Sequence, residues 1–288
     1  MAGQGVVGPT ALRMMLGSHL RELRERAGVT RTDAGWAIRA SESKISRLEL
    51  GRVGFKERDV LDLLTLYGVN EARERDRLLD LAREANHPGW WHRYGDVTPD
   101  WFNAYLGLEG TAELIRTYET QVVPGLLQTA DYVRAVARLD PAREPTDAEI
   151  ERIVALRSRR QRVLDRDPPL KFWAVIEESV LHRPIGGRDV LRHQLEALRQ
   201  AVTRPNVTIQ IIPLDGAGHA STGAFTLLRF PQRDLPDTVY VEHLTSALYL
   251  DKRDDVEAYT QALDILASSS PSPQQTEHEL TRLLDQLT

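Results

Sequence analysis

At 288 residues the chain is too long for a single small motif and long enough for two or three compact units, each with its own core. Its 41% hydrophobic and 27% charged residues are those of an ordinary soluble globular protein, and no apolar run approaches the length of a membrane span. With no cysteine, disulfides, thiol nucleophiles and cysteine zinc sites are all excluded. Together with a start that lacks a charged segment followed by a long apolar one, this predicts a cytoplasmic protein without membrane attachment. The net charge of −5 is unevenly spread: Ala11 to Lys56 carries ten basic residues against five acidic ones, a net +5, which leaves −10 for the remainder. A basic head on an acidic body suits a modular nucleic-acid binder, because the head meets phosphate while the body stays off it.

In chain order, residues 1–15 are expected to be flexible, and Leu16 to Ala27 forms a helix with Leu16, Leu20, Leu23 and Ala27 on one face. Gly28 ends it, since only glycine takes the left-handed backbone cheaply there. Thr30 caps a short helix over Arg31–Ile38, Arg39–Ala40 makes a turn, and Ser41 caps a third helix over Glu42–Leu50 before Gly51. Gly35 falls where the second and third helices cross, and Val29, Ala34, Ile38, Ile45 and Leu48 supply a small core. Two further amphipathic helices, Arg58–Tyr67 and Glu71–Ala85, complete a five-helix domain over residues 16–86.

The segment GVTRTDAGWAIRASESKISRLELGR is similar, without a gap, to the signature of the xenobiotic-response-element (Cro/C1-type) helix-turn-helix family. It departs from that signature at Arg31, where glutamine is usual, and at Arg39, where the turn usually has glycine. The resemblance implies double-stranded DNA as the partner, with the third helix in the major groove. Glu42, Ser43, Lys44, Ser46 and Arg47 face outward by spacing; Lys44 and Arg47 can donate to guanine, and Glu42 can accept from cytosine N4. Arg31 and Arg52 are placed to touch phosphate, whereas Glu49 is expected to pair with a nearby arginine.

His87-Pro88-Gly89 marks a boundary, after which residues 87–268 read as an α+β domain. Trp90, Trp91, Tyr94, Trp101 and Tyr105 crowd its start, either as a ligand or partner surface or as the cement of the joint between domains. Glu109–Thr120, Ala130–Arg138 and Asp147–Asp165 read as helices, the last with Arg157, Arg159, Arg160, Arg162 and Arg166 on what looks like a solvated face. Leu170–Ile176, Asn206–Pro213, Ala224–Phe230 and Thr238–Leu244 are β-rich runs, with a helix over Asp189–Ala201 between the first two. Asp251–Ser268 is helical again, and residues 269–288 read as a loose SSSPSPQQ joint and a short helix. The fold class is therefore an all-α five-helix head followed by an α+β body with a small sheet. The layout of GWW, PGLLQTADYVRAV, RRQRVL, VIEESVLHRPIGG and NVTIQIIP also resembles the actinobacterial WhiJ-like regulators over Leu16 to Leu266. That likeness implies a transcriptional regulator often encoded beside a small partner protein and discussed as antitoxin-like.

No enzyme signature competes. His278-Glu279 lacks the second histidine of a zinc peptidase helix, and Glu178 with His182 reads as a surface pair. The four lysines (Lys44, Lys56, Lys171, Lys252) occupy no nucleophile context, and no phosphate-binding glycine motif is present. The expectation is a non-enzymatic regulator without cofactor or metal, binding an inverted-repeat operator as a homodimer. Its body would sense a small-molecule effector or a small protein encoded nearby; the alternative is an antitoxin-like protein that sequesters such a partner and autoregulates its own gene.

Overall fold

The computed structural model describes residues 8–140, 144–215 and 223–287. The chain forms two compact units: one takes the chain up to Arg93 with Asn103–Thr111 and Phe230–Pro236, the other Tyr94–Phe102, Ala112–Arg229 and Asp237 onward. The head unit contains helices α1 (Pro9–Arg26), α2 (Arg31–Ala37), α3 (Glu42–Glu49), α4 (Glu57–Leu66) and α5 (Ala72–Ala85). Helix α1 starts at Pro9, well before the expected Leu16; proline suits a first helical position, and Ala11 extends the buried stripe of Leu16, Leu20 and Leu23. Of the stretch expected to be flexible, residues 9–15 are thus helical, and residues 1–7 lie outside the described residues.

Ala34, Ile38, Ile45 and Leu48 sit in one core with Val60, Leu63, Leu64, Leu78 and Ala82, while Val29 packs at its edge. Two glycines let α1 lie directly on the end of α3. A Cβ at Gly17 would stand 2.5 Å from the Leu48 carbonyl oxygen, and one at Gly51 would stand 2.6 Å from the Met14 nitrogen. Gly51 also has φ +63, so it is required twice over.

Helix α6 (Phe102–Thr111) follows, its Gly107 leaving room for Thr10 and Trp91. Of the helix expected over Glu109–Thr120, only Glu109–Thr111 is helical, as the end of α6. Past Thr111 the chain turns into strand β1 (Leu114–Glu119), whose neighbours on both sides take up its backbone groups. A strand buried on both faces shows little alternation, and its pairing partners lie more than fifty residues away in sequence. Helices α7 (Ala130–Ala137) and α8 (Asp147–Gln161) come next, the latter opened by a capping box between Thr146 and Glu149.

Then follow β2 (Lys171–Glu177), α9 (Glu178–His182), α10 (Arg188–Ala201), β3 (Val207–Ile212), β4 (Phe225–Arg229), β5 (Thr238–Glu242) and β6 (Ala247–Leu250). The six strands form one mixed sheet in the order β3-β2-β1-β4-β5-β6, parallel from β3 to β1 and antiparallel beyond. This is the expected α+β body with a larger sheet than the four runs read from sequence. Helix α11 (Arg253–Ser269) covers one face, packing Leu263 and Leu266 on Tyr118, Val175, Phe225, Leu227 and Val239. Helix α12 (Pro273–Asp285) lies along β3, and its Thr276 hydroxyl donates to the Ile209 carbonyl at 2.5 Å. The joint between α11 and α12 is therefore short and ordered by a Ser272–Gln275 capping box, not the loose linker expected.

Gly17→Val should drive methyl groups into the α3 carbonyls and lower the stability of the head unit by about 1–3 kcal/mol, read as a lower urea midpoint by circular dichroism.

Candidate nucleic-acid interface

The second and third helices are built as the sequence predicts. The Thr30 hydroxyl accepts from Asp33 N at 3.1 Å, and the Ser41 hydroxyl accepts from Lys44 N at 3.3 Å. A Cβ on Gly35 would lie 2.7 Å from the Ala40 carbonyl oxygen, so the tight turn depends on its absence. Arg39 takes φ 54 in that turn, the one positive φ at a non-glycine residue among the described residues, and its side chain is exposed.

The orientation of α3 is set by Glu49, whose carboxylate is buried, with a side chain 3% exposed. Arg24 of α1 grips it in a fork, Nε to Oε1 and Nη2 to Oε2, while its Nη1 donates to the Val29 carbonyl at 3.0 Å. Arg31 at the start of α2 adds a third donor, Nε to Oε2 at 2.9 Å. The hydrogen bonds to Glu49 hold the Arg24 guanidinium above its ordinary pKa, and burial raises the Tyr67 hydroxyl in the same core. One acid thus ties together all three helices of the motif, as the expectation of an arginine partner for Glu49 foresaw in part.

Around this anchor, Glu42, Ser43 and Arg47 are exposed on α3, and Ser46 is half-buried. The Ser43 hydroxyl lies 2.9 Å from that of Ser41, and among the described residues Arg47 donates only from Nε, to the Ser43 carbonyl at 3.3 Å. Its terminal nitrogens are left to solvent. Arg52 is exposed just past α3. Arg31 gives one nitrogen to Glu49, and among the described residues its other nitrogens make no further hydrogen bond. Lys44 differs from the sequence reading: its ammonium is already paired with Asp59 of α4 at 2.7 Å. To reach a base it must leave that carboxylate. Sequence reasoning missed Asp59 because the two residues meet only through the packing of α4. It also missed Trp36, whose indole stands 79% exposed on α2 although its neighbours Ala34 and Ile38 are core.

In the aromatic group, Trp91, Tyr94 and Tyr105 are buried, and Trp90 and Trp101 are half-buried. Trp91 fills the space over Gly89 and Gly107, so its role is packing within the head unit. In the body, the arginine-rich helix is not one solvated face: Arg160 is 4% exposed with its guanidinium over the Phe102 ring, and Arg166 is half-buried. Glu178 is likewise no surface acid. It is buried and accepts from His182, from the Leu214 backbone and from Arg282 of α12, partners which together hold its carboxyl below the usual range against the cost of burial.

If Asp59 competes with DNA for Lys44, Asp59→Asn should tighten binding to a double-stranded fragment by roughly 2- to 5-fold at low salt, measured by fluorescence anisotropy. Unchanged or weaker binding would show that Lys44 stays off the DNA.

No curated protein and no solved structure matches the chain. Two family models do. A helix-turn-helix domain matches residues 15–78, which contain α2, α3, the Glu49 clamp and the exposed residues of α3. This head is the domain of a DNA-binding regulator, and among the described residues no helix is long and apolar enough to cross a membrane. The second model covers residues 102–282, more than half the chain, so the protein belongs to the family described as domain of unknown function DUF5753, here joined to a helix-turn-helix head.

Proposed function

We propose that this protein is a cytoplasmic, sequence-specific transcriptional regulator that binds an inverted-repeat operator as a homodimer, its body reporting a signal to its head. The observation that carries the reading is the three-helix clamp on Glu49: it fixes α3 rigidly while Glu42, Ser43 and Arg47 stay exposed with hydrogen-bonding capacity to spare. Rigid scaffolding behind an outward polar helix is what base-edge readout needs. Arg31, Arg39 and Arg52 surround that helix as positive charges, and phosphate contacts from such residues position without specifying. A single head of this size reads few base pairs, so two copies on a two-fold axis raise specificity, with half-sites about one helical turn or a multiple apart. The family likeness to WhiJ-like regulators, drawn from sequence, supports the same role.

The body is read as a sensor domain and not an enzyme, responding to a small molecule or to a small protein encoded nearby. A genome-wide map of binding sites tests the whole reading. Many sites containing paired half-sites would support a regulator; a single site upstream of its own gene would favour the antitoxin-like alternative, in which sequestering a partner is the main task. Sedimentation of the free protein as a monomer that occupies one half-site at full affinity would overturn the dimer.

With an operator in hand, Arg47→Ala should cost about 1–3 kcal/mol of binding and relax the preference at one base pair, read by competition anisotropy against singly substituted operators. A uniform loss over all sequences would instead assign Arg47 to phosphate.

A further inference from the structure

Helices α2 and α3 bury their inner residues in one core, Ala34 and Ile38 from the first, Ile45 and Leu48 from the second. The seam between the two helices is marked on α2 by Gly35, set against the Ala40 carbonyl, and by Arg31, bonded to Glu49 at the end of α3. Successive residues of an α-helix are about 100° apart, so Ala34 and Trp36 leave α2 on opposite sides of that seam. Ala34 goes inward to the core, and Trp36 goes outward. On α3 the same reasoning sends Ser43 and Arg47, two positions before and after Ile45, away from the core. The Trp36 ring therefore emerges on the side of the head that carries the exposed polar residues of α3.

Nothing in the packing of the head accounts for a tryptophan there. Trp36 is 79% exposed, whereas the other four tryptophans are buried or half-buried. So large an apolar surface left in water contributes little to stability. Its surroundings are basic. Arg39 follows one turn later, its backbone N–H donating to the Trp36 carbonyl at 3.2 Å and its side chain exposed, and Arg47 and Arg52 are exposed beyond the turn. The one acid of α2, Asp33, is engaged at the start of the helix, where it accepts from the Thr30 hydroxyl at 2.6 Å. An indole among arginines suits the backbone of a duplex. The deoxyribose offers apolar surface to the ring, and a phosphate oxygen can accept from the indole N–H.

We infer that Trp36 is a DNA-positioning residue, its ring lying on the sugar-phosphate backbone at the edge of the groove that α3 enters. This rests on the DNA-binding reading of the head and names a contact within it. The contact differs in kind from those of the arginines. An arginine on phosphate releases counterions, so its loss lowers the salt dependence of binding. An indole carries no charge, so its loss lowers affinity by the same factor at every salt concentration. It reads no base edge either, and operator and unrelated duplex lose affinity alike.

The test is fluorescence of the full chain with a mixed-sequence duplex at low salt. Acrylamide, a neutral quencher, leaves the ionic strength unchanged and reaches exposed rings first. The free protein should show a readily quenched component that Trp36→Phe lacks, and added duplex should protect it. In anisotropy titrations Trp36→Ala should weaken binding roughly 3- to 10-fold, with an unchanged slope of log affinity against log salt. Arg39→Ala should instead reduce that slope by about 1. The urea midpoint of Trp36→Ala should match that of the parent, because the ring is almost wholly in solvent. Duplex binding that leaves Trp36 quenchable, or full affinity in Trp36→Ala, overturns the inference and leaves the regulator reading intact. A ring already shielded in the free protein assigns it to a protein interface and also overturns the inference. A protein that binds no duplex overturns the DNA-binding reading itself, and this contact with it.

Discussion

A single buried carboxylate organises the DNA-binding head. Glu49 lies at the end of α3 with almost no exposure, and it is tolerable there only because Arg24 and Arg31 supply three donors between them. Removing one partner from such a pair typically costs about 3–5 kcal/mol, because the other charge is left buried and uncompensated. The geometry follows from the clamp. Helix α1 can lie against the end of α3 since Gly17 and Gly51 lack side chains, and α2 is tied by the residue that also opens toward solvent. What faces outward on α3 is then a consequence of what faces inward.

Much of this was legible beforehand. Caps at Thr30 and Ser41, close approach at Gly35 and an unusual turn at Arg39 are local matters, decided by residues within a few positions of one another. The arginine partner of Glu49 was foreseen in kind, though Arg24 was not named, because position 24 looks like any charged residue on an amphipathic helix. The pairing of Lys44 with Asp59 was not legible, since it is made by the way α4 packs. In the body the short apolar runs bounded by turn residues were strands, as expected. The run in β1 was mistaken for helix because its partners, Lys171–Ile176 and Phe225–Arg229, are distant in sequence.

The two units hold charge differently. In the head, ion pairs at Glu49 and Asp59 keep α3 and its neighbours aligned, and the cations left over point to solvent. In the body, two arginines are drawn inward, Arg116 pairing with Asp264 while lying over Trp173 and Arg160 covering Phe102, whereas the exposed Arg282 reaches from α12 to the buried Glu178. Such buried guanidiniums reward orientation more than stability, since desolvation offsets most of the attraction.

The contact of Thr276 with the Ile209 carbonyl has a consequence for synthesis. β3 is an edge strand, and α12 is what satisfies that carbonyl, from 67 residues further along the chain. At typical elongation rates of about 5–20 residues per second, roughly 3–13 s pass between the emergence of the strand and of the helix that shields it. During that interval the edge is open to any neighbouring extended segment, including the same strand on an adjacent nascent chain. Translation speed through the intervening residues therefore bears on how much of the protein reaches its native form.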